Sequence, residues 1–174
     1  MPSPRLAAFA AELEAPLAAQ KARAEALILR VPGEGQQPLR ADAEARALLA
    51  LADRLGPLVQ GWVGALEELA ALERARGPDE DARGAARRFL RLTEEFLAAW
   101  EGLLRIQPAK PAMQRLLGLV HVGCYELFSS GPADLARSCR AIAAGEAEAR
   151  LAFEPEAPSL VLATQELRRL APRN

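Results

Sequence analysis

A chain of 174 residues with 51% hydrophobic and 26% charged residues can bury a real core, which excludes disorder for most of its length. Its 22 basic and 23 acidic side chains leave a net charge of −1, so no general field draws nucleic acid, a membrane or acidic substrates. Any such partner needs a local patch.

Aromatic residues are only 5%, while Ala, Leu, Arg and Glu fill every long segment, a composition that predicts helices and no sheet. Lysine occurs only at positions 21 and 110, an arginine bias that fits a GC-rich bacterial genome. The N-terminal segment lacks the charged and then continuously apolar pattern of a secretory signal. No stretch reaches the roughly 18 apolar residues of a membrane span, so a cytoplasmic protein is expected. In that compartment Cys124 and Cys139 are expected as two reduced thiols.

Ser3 as N-cap and Pro4 at the first helical position open a helix that runs to about Arg30, with Leu6, Phe9, Leu13, Leu17 and Leu27 as its apolar stripe and Pro16 as a bend or break. The loop VPGEGQQP follows. It contains glycines but neither phosphate-binding pattern, and it follows a helix instead of a strand. The second helix is expected to open at Pro38, kink at Gly56 and Pro57, resume at Leu58 and end near Arg76.

Gly77 suits the close of that helix, while Pro78, Asp79, Glu80 and Asp81 suit the start of the next. Folding the chain about this turn sets Trp62 near Thr93 and Trp100 near Leu55. The same turn argues against reading WVGAL and WEGLL, 38 residues apart, as a repeat, because the two segments then lie on antiparallel neighbours. Phe89, Leu92, Phe96, Trp100, Leu103 and Leu104 give the third helix the clearest apolar period in the chain.

The fourth helix, about 111–129, is apolar almost all round: Leu119 and Val122 stand where a surface helix carries charge. It is expected to thread the middle of the bundle, with Gly118 and Gly123 letting neighbours approach closely. A fifth helix follows SSGP, where Ser129 or Ser130 suits a cap, and carries Leu135, Cys139 and Ile142. After the linker FEPEAPS a terminal helix runs from about Ser159 to Leu170. The fold expected is all-α, an antiparallel bundle of five or six helices in residues 1–153, with residues 154–174 a linker and C-terminal helix packed on the same domain.

His121 is the only histidine, beside Cys124 and one turn from Tyr125. A metal pair or a nucleophile and base would suit those side chains, but zinc needs about four ligands and no second histidine exists. The sequence therefore predicts a structural histidine, bonded to backbone, water or Tyr125, with no catalytic residue, metal or cofactor. Adjacent glutamates at 67 and 68, and at 94 and 95, diverge by about 100° and read as solvated faces. Arg83, Arg87, Arg88 and Arg91 form a basic stripe, expected to pair with Glu67, Glu68 or Glu73 across the hairpin; nucleic-acid binding is the minor reading.

These features point to a non-enzymatic bundle for protein–protein interaction, as adaptor, assembly subunit or self-associating oligomer. The candidate surface is Leu160, Leu167 and Leu170 with Arg83, Arg87 and Arg91. The alternative is a small-molecule-binding bundle whose apolar pocket, beside Pro57, is lined by Trp62, Trp100, His121 and Tyr125.

Overall fold

The computed structural model describes residues 3–33, 37–38, 41–75, 78–108, 110–146, 150–151 and 153–170. Six helices occupy them: α1 Pro4–Ile28, α2 Ala41–Ala75, α3 Asp79–Leu103, α4 Pro111–Ser130, α5 Pro132–Ala143 and α6 Pro158–Leu170. The chain is an all-α bundle. The sheet-free expectation needs one correction, since Gln37–Pro38 (β1) pairs in parallel with Ile106–Gln107 (β2).

Local chemistry explains most boundaries. The Ser3 hydroxyl accepts from the Leu6 amide, satisfying one of the free donors that open α1. Pro16 and Pro57 each remove one donor, yet α1 and α2 run unbroken through them because packing on both sides holds the turns together. Helix α2 stays helical through Gly56 and Pro57, and it begins at Ala41 instead of Pro38, which is spent in the extended pair. Three carboxylates in the first turn of α3 face its dipole favourably. Gly77, the expected corner residue, lies outside the described residues.

The reversal before Pro78 packs α2 against α3, and the Trp62 indole donates to the Thr93 hydroxyl at 3.1 Å, as the folded-over sequence requires. Thr93 in turn donates to the carbonyl of Phe89 at 3.0 Å, so neither buried polar group is orphaned. Helix α1 lies beside α3 and parallel to it: Glu12 pairs with Arg83, Gln20 donates to Leu90 and Glu94, and Arg23 bridges Glu94 and Glu101. Helix α5 packs on α1.

Helix α4 touches all five other helices, which makes it the central one. Helix α6 descends antiparallel along it, with Ser130 bonded to Glu156, Glu126 to Ser159 and Gly123 against Leu160. A Cβ on Gly123 would sit 2.6–2.9 Å from Leu160 atoms, two of them backbone, so glycine is required there. Gly118 does not behave as expected: nothing lies within 4 Å of a Cβ built on it. Ser130 is likewise not a cap for α5; its hydroxyl donates to Glu126 O and accepts from the Glu156 N–H, tying down the linker before α6.

Candidate functional site

The four residues expected to line a pocket come together as part of a filled row. Phe153, Phe89, Trp62, Phe96 and Trp100 follow one another at centroid separations of 6.1, 6.0, 5.3 and 6.3 Å. Trp100 then meets His121 at 5.7 Å and Tyr125 at 6.4 Å. These are ordinary tilted and edge-on distances, and both tryptophans are fully buried. The aromatic groups pack on each other across α2, α3 and α4.

His121 has the most defined chemistry in this row. The Trp100 indole N–H donates to its Nδ1 at 2.9 Å, and its Nε2 lies 3.2 Å from the carbonyl of Ile28. An indole nitrogen can only donate, so Nδ1 must accept and Nε2 carries the proton given to Ile28. The imidazole is thus neutral, and burial lowers its pKa below the ordinary value, against the raising effect of its backbone partners. The expected backbone partner is present; the expected tyrosine is a ring neighbour of Trp100, and the indole took its place.

Cys124 and Cys139 are both free and buried. Burial pushes the Cys124 thiol strongly up and Cys139 up to about 12, the latter with help from the Glu14 carboxylate, so neither supplies a thiolate at neutral pH. Among the described residues no group of three or more His, Cys, Asp or Glu side chains is gathered as a metal ion would need.

The basic stripe on α3 is largely neutralised at home. Arg88 pairs with Glu68 across the hairpin as expected; Arg83 instead reaches Glu12 and Glu80, and Arg87 reaches Glu80. Glu73 is held by Ser3. Arg91 stands exposed. Arg83 and Arg87 thus find carboxylates on their own helix and on α1, which folding the sequence about one turn does not reveal.

The outer end of the aromatic row, Phe153, borders a surface cleft with Leu66, Leu151 and Arg137, while Trp62, Trp100, His121 and Tyr125 line none of three other clefts. One of about 720 Å³ does flank Pro57, but its walls are Leu51, Leu58, Ala98, Leu103 and Ile106 with Arg54 and Glu95. A second, about 450 Å³, runs between α2 and α6, lined by Leu55, Val59, Leu127, Leu160 and Val161, with Gln60, Thr164 and Arg168 among its polar groups. A third, about 350 Å³, lies between α1 and α5 among Glu14, Lys21, Glu25 and Arg140.

Of the candidate surface on α6, Leu167 is buried and Leu160 half-buried against α4, leaving Leu170 exposed. Val161 and Leu162, not singled out by the sequence, are exposed too. Among the described residues no helix is long and apolar enough to cross a membrane. No protein-family model, no curated protein and no solved structure matches this chain.

Proposed function

We propose that this chain is a non-enzymatic bacterial protein of the cytoplasm that binds another protein, as adaptor, assembly subunit or through a second copy of itself. The observation that carries the reading is the groove between α2 and α6, about 450 Å³ and walled mostly by apolar side chains from Leu55, Val59, Leu127, Leu160 and Val161. A concave apolar slot with a polar rim is what an anchoring side chain of a protein partner fills. Arg168 on that rim is only loosely held, 3.5 Å from Asp53, and is available to a partner carboxylate. The raised cysteine pKa values and the neutral, doubly bonded His121 support a chain without nucleophilic chemistry.

The groove also falls in the size range of small-molecule sites, which keeps a ligand-binding role as the second reading. The two part on one experiment. A photoreactive side chain at position 161, introduced in the native host, should give a discrete protein adduct that a Val59→Glu change abolishes, while the same probe at Arg140 on α5 gives none. Sedimentation velocity then tells a self-adduct from a heterologous one. Absence of any protein adduct, with native mass spectrometry retaining a small molecule, overturns the first reading in favour of the second.

A further inference from the structure

The sequence of α4 is that of a helix covered all round, yet one strip of it faces outward. Arg115, Gly118 and Val122, spaced three and four apart, share a face; Val122 is 42% exposed and the space above Gly118 is open. On one side of this strip Gln114 donates to the carbonyl of Pro32 at 2.7 Å and His121 bonds Ile28, which fixes the segment that leaves α1. Gly33, at φ +92°, a backbone conformation that side-chain-bearing residues rarely adopt, turns that segment over the Gln114 amide. Between the two anchors Leu29 and Val31 project, 84% and 59% exposed.

Among the described residues the charges beside them lean basic. From Gly102 to Tyr125 the chain has no aspartate or glutamate, and its three Arg and Lys residues, Arg105, Lys110 and Arg115, are exposed with no carboxylate partner among the described residues. Arg30, between Leu29 and Val31, reaches Glu101 only at 3.9 Å, and that carboxylate is already engaged by Arg23 at 3.1 Å. Here is the local patch that the near-zero total charge left open.

We propose that this end of the bundle docks on an anionic lipid bilayer, with Leu29 and Val31 entering the headgroup and acyl boundary while Arg30, Lys110 and Arg115 face anionic headgroups. The shape decides between a bilayer and an acidic protein. Leu29 and Val31 project from the surface with Arg30 between them and Lys110 and Arg115 nearby, and a projecting apolar tip flanked by cations matches a flat, deformable, negative surface. Docking of this kind is interfacial and reversible, and needs no spanning helix. It also uses a different surface from the α2–α6 groove, so it stands or falls separately from the protein-binding proposal.

The full-length chain is mixed with vesicles of phosphatidylcholine alone and of phosphatidylcholine with phosphatidylserine, and the bound fraction is measured by co-sedimentation. Binding is expected only with phosphatidylserine, and it should fade with added salt. Leu29→Asp with Val31→Asp, or Lys110→Glu with Arg115→Glu, should each weaken the partition by about tenfold or more, while Arg140→Glu leaves it unchanged. All these side chains are exposed, and thermal melts confirm that the variants fold. No binding to the anionic vesicles, or an equal loss in Arg140→Glu, overturns the proposal; so does capture by soluble polyglutamate without vesicle binding, which marks the patch as a site for an acidic protein.

Discussion

Gly123 and Gly118 lie on the same helix, five residues apart, yet a methyl group added to the first would enter Leu160 while one added to the second would meet nothing. The same contrast runs the length of α4. Its inner side holds His121 between the Trp100 indole and the Ile28 carbonyl and packs Leu117, Val120 and Cys124 without exposure. Its outer strip leaves Val122 in solvent. An apolar residue type therefore does not by itself report a covered position; the neighbour that arrives, and how closely, does.

The sharpest way to break that contrast is to remove the imidazole. His121→Ala leaves the buried Trp100 N–H without an acceptor and opens space against its ring, so a loss of about 3 kcal/mol is expected in urea unfolding. His121→Gln, which can keep one acceptor and one donor, should recover part of it. A loss no larger than that of an exposed substitution would show that the indole and imidazole are not bonded.

Gly123→Ala comes next. The added Cβ would lie 2.7 Å from the Leu160 backbone nitrogen, which no rotamer change relieves, so α6 must shift. Overpacking of this kind costs about 2 kcal/mol. Increased exchange of α6 backbone amides, with those of α1 and α3 unaffected, would locate the damage.

Proton linkage gives a smaller and more specific signature. Burial holds the His121 pKa below its ordinary 6.5, so the imidazole is neutral in both states well above that pH and full stability is present there. As the pH falls below 6.5 the unfolded chain takes up the proton first, and stability declines until the folded imidazole also titrates. Protonated, Nδ1 would confront the Trp100 N–H donor to donor. The urea midpoint of the wild-type chain should thus fall more steeply between about pH 7 and 5 than that of His121→Gln. Parallel curves for the two proteins would remove the linkage.

What the sequence could supply here was local or followed from one reversal. Ser3 and Pro4 announce a helix start with their own atoms, and folding about Pro78 alone brings Trp62 to Thr93. The same fold-over puts Leu55 by Trp100, and both are buried in the one core, but it could not supply the indole's hydrogen-bond partner, His121 on α4. That pairing depends on how α4 rotates against α3, and rotation is set by volumes on several helices at once. The same holds for the aromatic row: its members were visible as buried candidates, but whether they wall a cavity or fill one is decided by ring distances of 5–6 Å that periodicity does not encode. The exposed Leu29 and Val31 were missed for the opposite reason, since Leu29 read as the last turn of an amphipathic helix that in fact ends at Ile28 and Val31 as the first residue of a loop.

The smallest expected effect tests the outer strip directly. Gly118 has helical neighbours on both sides and open space above it, so alanine there removes a conformational-entropy cost and introduces no clash. Gly118→Ala should raise stability by roughly 0.5–1 kcal/mol, read as a higher urea midpoint with an unchanged slope. Paired with Gly123→Ala, it gives one chemical change of opposite sign on two sides of one helix. A destabilising Gly118→Ala in the isolated chain would mean that something already lies over the strip, a second copy of the protein being the first suspect, and dilution would then restore the gain.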